Sequence, residues 1–380
     1  MSQQRQSPWR LARWLLLVGL SALLVACAGT SNQTKPTELK SNPELLTPRL
    51  AWRAQIGSID FPLNLKVNDN NLTLASSDGS VLALAADTGL ELWRANLATP
   101  LAAGVGSDGH ITAVITRNNQ LVSLASGREL WRQNLGAQAY TAPLVAGGRI
   151  FAATADRTVA AFDAQNGRKL WTQQRTGEPL VLRQAGILLA VGDTLVLGSS
   201  GRLLGLNPNS GSVRWESPIA TPRGSNDVER LVDLVAPASR QADTLCVRAF
   251  QAAIACVNPA QGQLLWTQAA AGAQGLSGDA DTVVGTEADG KVIAWRRNNG
   301  DRIWTAEQLK YRGLSSALTL GNAIAVGDSE GWVHWLSKQD GSTLTRMATD
   351  GSAIVASPVL AGNTLVVVTR RGAIFGFQTP

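Results

Sequence analysis

Apolar residues in this chain occur in short runs, separated by clusters of glycine, asparagine and aspartate. Residues 142–174, APLVAGGRIFAATADRTVAAFDAQNGRKLWTQQ, contain four such runs with GG, ADR and QNG between them. Runs of this length broken by turn residues are typical of antiparallel strands joined by tight loops. No segment after residue 48 keeps a helical period over three turns, so the pattern predicts an all-β chain.

One phrase recurs along the sequence and defines a repeat. It reads GLELWRANL at residues 89–97 and GRELWRQNL at residues 127–135, and a turn rich in Asp, Asn or Gly precedes most copies. The positions that mark the copies are Trp52, Trp93, Trp131, Trp171, Trp215, Trp266, Trp304 and, without a tryptophan, Thr345. Four strands in each unit of about 40 residues are the pattern of a β-propeller. The sequence therefore predicts eight four-stranded antiparallel blades.

The two ends of the repeat array complement each other. The last unit, residues 357–379, stops before the strand that would carry its tryptophan, whereas residues 49–57 form such a strand with none before it. We predict that the N-terminal strand completes the last blade. Closure of this kind joins the ends of the ring and leaves no half-blade with an open edge.

The first residues have the features of a secretory signal. Residues 1–13 carry three arginines and no acid, and residues 14–26 are apolar but too short to span a membrane as a helix. The segment ends in Leu-Val-Ala before Cys27, which resembles the lipobox of bacterial lipoproteins. That resemblance implies cleavage of a signal peptide, residues 1–26, and lipidation of Cys27. It also implies sorting to the outer membrane, because residue 28 is alanine rather than the aspartate that retains such proteins at the inner membrane.

An ordinary secretory signal with a chance cysteine remains the alternative. Residues 27–47 are polar and punctuated by proline, so we predict a flexible tether there and the propeller in residues 48–380. The formal net charge of the full chain is +6, and the signal contributes three arginines, which leaves +3 for residues 27–380. This modest charge does not suggest nucleic acid as a partner.

Two cysteines stand symmetrically about Gln251. Cys246 and Cys256 would face each other across two antiparallel strands if this stretch forms a hairpin. An oxidising compartment would permit a disulfide between them. Two buried thiols are the alternative, and the sequence leaves both open.

The repeats raise the question of catalysis. Stretches such as LAADTGLELWRANL resemble the blades of quinoprotein dehydrogenases, which bind pyrroloquinoline quinone and calcium in the propeller channel. Those enzymes also use an adjacent pair of cysteines, which this chain lacks. His110 and His334 fall in different blades, and no nucleophile or phosphate-binding motif is present. We therefore predict no catalytic residues, no metal and no cofactor, with a quinoprotein-like enzyme as the alternative.

A lipoprotein signal, eight quinoprotein-like blades and no catalytic set together resemble the BamB family of outer-membrane assembly lipoproteins. The resemblance covers nearly the whole chain. It implies a non-enzymatic scaffold of the β-barrel assembly (BAM) complex at the periplasmic face of the outer membrane. The implied partners are the periplasmic domains of the central subunit BamA, the other BAM subunits, and unfolded outer-membrane proteins on their way to insertion.

Two irregular segments mark the expected docking surface. The longest intervals of the repeat fall on either side of Trp215, and their additional residues lie in 174–186 and 217–243. In a four-stranded propeller both segments join one blade to the next, so they lie on the same face. Loops on a rigid scaffold are where recognition usually resides.

The family resemblance extends to residues in both segments. Leu180, Leu182 and Arg183 match the Leu-x-Leu-Arg motif that the BamB family uses to contact BamA. In the second segment, Glu229, Arg230, Leu231 and Asp233 match an acidic-Arg-Leu motif, and the chain departs from the family pattern at Val235, where another aspartate is expected. A solvated run of charges followed by an inner strand is the alternative for both segments.

A third function class is a propeller that binds carbohydrate. It would need aromatic side chains exposed on one face, and Trp295, Trp332 and Trp335 are the candidates. Their settings, KVIAW and GWVHW, resemble strands. We expect them to pack inside the blades instead.

Overall fold

The structure, a computed structural model, describes residues 35–177 and 180–379. The proposed signal and Cys27 lie outside these ranges. The described regular structure consists of 32 β-strands arranged in eight four-stranded antiparallel sheets. The predicted all-β fold with eight blades is confirmed. Among the described residues, no helix is long and apolar enough to cross a membrane.

Seven blades, numbered I to VII, follow in chain order, each from its inner to its outer strand. Blade I comprises β2 (Lys66–Asn68), β3 (Asn71–Ala75), β4 (Ser80–Ala85) and β5 (Glu91–Asn96). Blade II comprises β6 (Leu101–Ser107), β7 (Ile111–Thr116), β8 (Gln120–Ala125) and β9 (Arg128–Asn134). Blade III comprises β10 (Leu144–Ala146), β11 (Arg149–Ala153), β12 (Thr158–Asp163) and β13 (Lys169–Gln174). Blades IV and V comprise β14 (Leu188–Val191), β15 (Thr194–Ser199), β16 (Arg202–Leu206), β17 (Val213–Pro218); and β18 (Leu234–Gln241), β19 (Thr244–Ala249), β20 (Ala253–Asn258), β21 (Gln263–Ala269). Blades VI and VII comprise β22 (Leu276–Gly278), β23 (Thr282–Thr286), β24 (Val292–Arg296), β25 (Arg302–Ala306); and β26 (Leu318–Leu320), β27 (Ala323–Gly327), β28 (Trp332–Ser337), β29 (Thr343–Ala348).

Blade VIII combines the two ends of the chain. Its strands are β30 (Val359–Ala361), β31 (Thr364–Val368), β32 (Ala373–Gln378) and, as the outer strand, β1 (Arg49–Gln55). The pairing runs from Arg49 opposite Gln378 to Gln55 opposite Ala373. The predicted closure of the ring by the N-terminal strand is therefore confirmed.

The strand order gives the ring two distinct faces. We call the upper face the one that carries the loops between blades and the turns between second and third strands. The lower face carries the turns that precede each outer strand. The two middle strands of each blade supply most of the buried apolar side chains, whereas the outer strands have mostly exposed ones. The core therefore lies between the blades, as expected when twisted sheets stack face to face.

Each repeated tryptophan packs against a glycine of the following blade, a contact that we call the lock. The indole Nε1 of Trp52 donates a hydrogen bond to the carbonyl oxygen of Ala86, at 2.9 Å, in the lower turn of the following blade. Trp131, Trp171, Trp266 and Trp304 make the equivalent bond in their own junctions. A glycine at positive φ lies under each ring, where a larger residue would not fit. A Cβ at Gly89, for example, would lie 2.5 Å from the Trp52 ring.

This lock explains why Thr345 replaces a tryptophan. An indole on blade VII would have to reach the lower turn of blade VIII, but there the third and outer strands come from opposite ends of the chain. In the part of the chain that the structure describes, no turn with a glycine lies at that junction to receive a ring. The exception in the repeat is thus a consequence of the closure.

Residues 37–46, which we call the strap, lie along the outer edge of blades VI and VII. The Thr37 N–H donates to the Lys310 carbonyl at 3.0 Å, and the Leu45 N–H donates to the Leu344 carbonyl at 2.8 Å. Leu39 and Leu46 pack against core side chains. These contacts differ from the flexible tether expected for the whole of residues 27–47.

Candidate functional site

Both irregular segments lie on the upper face, on either side of blade IV. The first loop, residues 175–187, joins β13 to β14, and the second loop, residues 219–233, joins β17 to β18. The second loop is shorter than the predicted segment 217–243, because residues from Leu234 to Gln241 form β18. The last part of the predicted segment, from Leu234, therefore belongs to an inner strand.

Asp233 connects the two loops. Its Oδ2 accepts the Leu182 backbone N–H at 3.1 Å, and its Oδ1 accepts the Ser200 backbone N–H at 3.3 Å. The same Oδ1 lies 2.8 Å from Nη1 of Arg157, which belongs to the upper turn of blade III. The side chains of Arg157 and Asp233 are 12% and 15% exposed. Charge-assisted bonds with so little solvent are stronger than surface pairs.

The first loop is held from several sides. Nη2 of Arg157 donates to the Leu180 carbonyl at 3.0 Å. At the far end of the loop, the Ala236 N–H donates to the Ala185 carbonyl at 2.9 Å, and Gly186 forms a bridge with Val235. Val235, where the family pattern has an acid, is buried in β18 and is only 1% exposed. A side chain at this position cannot contact a partner.

The three predicted residues of the first loop differ in exposure. Leu180 is 39% exposed. Leu182 is half-buried and lines a small cavity of about 70 Å³ together with Val181, Arg157 and Asp233. Arg183 is exposed. Leu180 and Arg183 are therefore the most exposed of the three, while Leu182 is partly exposed at the small cavity.

Arg183 lines the central cavity of the ring. This cavity, of about 480 Å³, is lined by residues from several blades, including Asp60 and Arg370. The Arg117 guanidinium, 2.6 Å from the Asp60 carboxylate, lowers the pKa of Asp60, with help from the Ser77 hydroxyl and the charge of Arg183. Arg183 thus lines the same cavity as Asp60, within electrostatic reach of its carboxylate.

The second loop contains a compact turn. Oδ1 of Asn226 accepts the backbone N–H groups of Val228 and Glu229, at 3.1 and 3.0 Å. Glu229 in turn accepts the Ser225 backbone N–H at 2.8 Å, and this bond lowers the pKa of Glu229. Glu229 and Arg230 are exposed, and Val228, which the sequence did not single out, is 69% exposed.

Sequence reasoning missed Arg157. Its tripeptide ADR was interpreted only as a turn, and Asp233 is 76 residues away. Nothing local in either segment indicates the pair, because the contact depends on how two loops from different blades meet. Of the predicted residues, the structure brings Leu182 and Asp233 together, whereas Glu229 and Arg230 lie on a separate turn.

The two cysteines of blade V are joined. Cys246 on β19 and Cys256 on β20 are opposite each other in register, with Cα atoms 4.0 Å apart, and the structure records a disulfide between them. Both residues are fully buried. Nη1 of the buried Arg297 lies 3.3 Å from the Cys246 sulfur. This arrangement belongs to the core of the blade and not to the upper face.

Groups for other chemistries are not assembled in the described ranges. There, no three histidine, cysteine or acidic side chains are close enough to hold a metal ion. His110 is exposed on a turn, and His334 is buried against Asp328 at 3.0 Å. Trp295 and Trp335 are at most 2% exposed, so they pack inside the blades as expected. Trp332 is half-buried beneath the Arg346 guanidinium.

Comparisons with known proteins identify relatives over nearly the whole chain. Residues 77–306 match the family described as "Outer membrane protein assembly factor BamB". The BamB of Burkholderia pseudomallei is 36% identical over 366 residues, which cover 94% of this chain and 96% of that protein. The BamB of Bordetella pertussis is 33% identical over 372 residues, which cover 96% of each.

Solved structures share the fold. The crystal structure of BamB from Moraxella catarrhalis superposes with a TM-score of 0.79 at 24% identity, covering 87% of this chain and all of that one. A quinohemoprotein alcohol dehydrogenase from Comamonas testosteroni reaches a TM-score of 0.69 at 13% identity, covering 90% of this chain and 78% of that one. At these identities the two likenesses concern the fold alone.

Proposed function

Because this chain belongs to the family of the outer membrane protein assembly factor BamB, we propose that it is a non-enzymatic accessory lipoprotein of the β-barrel assembly complex. In this role it binds the periplasmic domains of BamA and assists the insertion of β-barrel proteins into the outer membrane. The relatives at 36% and 33% identity are assembly factors by name. Those names support a scaffold rather than a dehydrogenase.

The observation that carries the proposal is that residues 180–186 of the first loop are held in place and carry exposed side chains. Leu180 and Arg183 are exposed, while the backbone between them is held by Asp233 and Arg157. A loop that is already ordered loses little conformational entropy when a partner binds. An apolar side chain beside an arginine is also a frequent combination at the centre of protein interfaces.

The docking residues then have different roles. Leu180 and Arg183 contact BamA directly, and Leu182 supports them from the small cavity beneath the loop. Asp233 is a positioning residue, because its carboxylate is used by groups within the chain. Glu229 and Arg230 flank the site as exposed charges on the second loop, where they would act mainly on the rate and orientation of encounter.

The proposed attachment of the protein to the outer membrane depends on its first residues, which lie outside the described ranges. We assign residues 1–26 to the signal peptide, Cys27 to the lipid attachment, and the periplasmic face of the outer membrane to the propeller. Cys27→Ala should yield an unlipidated chain that no longer fractionates with the outer membrane. Metabolic labelling with palmitate tests this assignment, and retention of label in the variant would refute it.

The docking proposal is tested by binding to the periplasmic domains of BamA. The double variant Leu180→Ala/Arg183→Ala should bind at least about thirtyfold more weakly, since a central anchor contributes about 2 kcal/mol or more. Leu264→Ala is the matched control, because Leu264 is also 39% exposed but lies on the outer strand of blade V. Equal affinities for the double variant and the control would place the contact elsewhere.

A further inference from the structure

The strap is attached at its first residue by a buried arginine. Nη1 of Arg312 donates to the Thr37 carbonyl at 3.0 Å. Arg312 is only 3% exposed, and its Nε lies 2.7 Å from the fully buried Asp328 carboxylate. Thr37 also donates its own N–H to Lys310, in the loop between blades VI and VII. The strap therefore begins at the rim of the upper face.

The middle of the strap follows the outer strand of blade VII. The Asn42 side-chain amide accepts the Arg346 N–H at 3.1 Å and donates to the Thr345 hydroxyl at 3.3 Å. Three residues later, the Leu45 N–H bonds to the Leu344 carbonyl. Asn42 thus contacts the outer strand at Thr345, the position where the repeat lacks its tryptophan.

These contacts fix the direction of the strap. Lys310 lies on the upper face, whereas Leu344 follows the lower turn of blade VII and β1 begins at Arg49 on the lower face, opposite the end of β32. The strap crosses the full height of the ring along its outside. Without it, the chain before β1 would leave from the lower face.

We propose that the strap moves the point of membrane attachment to the upper face, so that the lipid anchor and the docking loops address the bilayer and the partner from the same side. The proposal rests on the lipid anchor at Cys27 assigned above. It adds a second interacting surface, the upper rim between blades VI and VII, whose partner is a lipid bilayer. The first docking loop lies on the same face, three of eight blades away.

The length of chain before the strap makes this attachment short. Ten residue steps separate Cys27 from Thr37, and at about 3.3 Å per residue they reach at most about 33 Å. Counted from Arg49, the reach would be about twice as long and would start from the lower face. The strap therefore restricts both the distance and the orientation of the ring at the membrane.

Contact between strap and ring is tested by disulfide trapping in the full-length chain. The pair Asn42→Cys and Thr345→Cys should form a cross-link readily under mild oxidation. The pair Asn42→Cys and Thr267→Cys, with its second cysteine on the outer strand of blade V, is the control and should not. Failure of the first pair, or equal yields from both, would overturn the docked strap.

Orientation is tested by energy transfer from the lipidated protein on phospholipid vesicles to an acceptor dye on the lipid headgroups. Donor dyes are attached singly at Tyr311→Cys, exposed on the upper face beside the strap, and at Asn298→Cys, exposed in the lower turn of blade VI. Transfer should be stronger from position 311. Replacing residues 37–45 by a Gly/Ser sequence of equal length should abolish the difference between the two positions.

Equal transfer in the parent protein, stronger transfer from position 298, or a difference that survives the Gly/Ser replacement would each overturn the proposal. Failure of the proposed lipid anchor is distinguishable, because the protein would then not bind vesicles and neither position would transfer. Vesicle binding equal to that of Cys27→Ala would therefore refute the anchor and, with it, the membrane orientation. The cross-linking result bears on the strap contact alone.

Discussion

Arg157 and Asp233 form an ion pair that joins the upper turn of blade III to the end of the second loop, with Nη1 and Oδ1 2.8 Å apart. The same carboxylate accepts the Leu182 amide, and the same guanidinium binds the Leu180 carbonyl. This ion pair therefore holds the backbone at Leu180 and at Leu182, in the segment that carries the predicted contacts. Asp233 therefore holds the first loop through the backbone N–H of Leu182.

The first prediction concerns Asp233→Asn. The single side-chain oxygen of asparagine can accept a hydrogen bond either from Arg157 or from the Leu182 N–H. The amide nitrogen that replaces the second oxygen is a donor, so the remaining donor loses its acceptor. We expect weaker binding to the BamA periplasmic domains and a loss of about 1–3 kcal/mol in the free energy of unfolding, because one buried donor loses its acceptor. Binding by titration calorimetry and urea denaturation measure the two effects.

Arg157→Ala distinguishes positioning from direct contact. If Asp233 positions the loop, removing its partner on blade III should weaken binding too. Glu229→Ala, on the exposed turn of the second loop, serves as the comparison and should change binding less. Parent-like affinity of Arg157→Ala would show that Asp233 acts directly on the partner.

The second prediction concerns Arg183→Lys. Lysine keeps the positive charge at the central cavity, but it lacks the planar fork that binds carboxylates and backbone oxygens bidentately. We expect the lysine variant to lose much of the affinity that Arg183→Ala loses, while its melting temperature stays that of the parent, because Arg183 is exposed. Full rescue by lysine would mean that only the charge matters, and the salt dependence of binding would then be the same in both proteins.

The repeat made the fold predictable from the sequence. Turn residues and the spacing of Trp52, Trp93 and their successors are local, and each repeat has the same structure, so blade number and closure follow from counting. The strap was not predictable, because residues 37–46 are polar and rich in turn formers, and their partners, such as Arg312 and Leu344, are about 300 residues away. Long-range contacts of this kind leave no periodic signal.

The candidate site was predictable only in part. The additional length on either side of Trp215 located both loops, and a family motif indicated Leu180, Leu182 and Arg183. Exposure separates these three residues, and only the folded loops reveal that Leu182 is half-buried and lines the small cavity with Arg157 and Asp233. Val235 belongs to the core, since β18 begins at Leu234, directly after the last acid of the charged run.

The third prediction tests the lock between blades. Gly89→Ala should destabilise the protein, because the new Cβ would lie 2.5 Å from the Trp52 ring and a left-handed φ of +71° is unfavourable for alanine. Gly192→Ala is the matched control, since φ there is +57° but no atom lies within 4 Å. Both variants should lose about 1–2 kcal/mol from the backbone, and Gly89→Ala about 1–3 kcal/mol more from overpacking. Urea denaturation that gives equal losses would show that the ring accommodates the methyl group.

The fourth prediction concerns the acid sensitivity of the strap attachment. Burial opposes ionisation of Asp328, but hydrogen bonds from His334, the Trp332 N–H and Arg312 outweigh it and lower the pKa of Asp328 below its ordinary 3.8. A lowered carboxyl pKa stabilises the folded state fully above that ordinary value, and this contribution disappears as the pH falls through the folded pKa. At neutral pH, Asp328→Asn should cost up to about 3 kcal/mol, because the buried Arg312 loses its buried ionic partner and keeps only the partly exposed Glu330. The difference in unfolding free energy between parent and variant should shrink as the pH falls below 3.8.

Asp340→Asn, in an exposed turn of the same blade, controls for the loss of one negative charge and should change stability little. Urea midpoints measured from neutral pH to about pH 2 decide the matter. A parent–variant difference that stays constant over this range would show that Asp328 does not stabilise the fold through its charge.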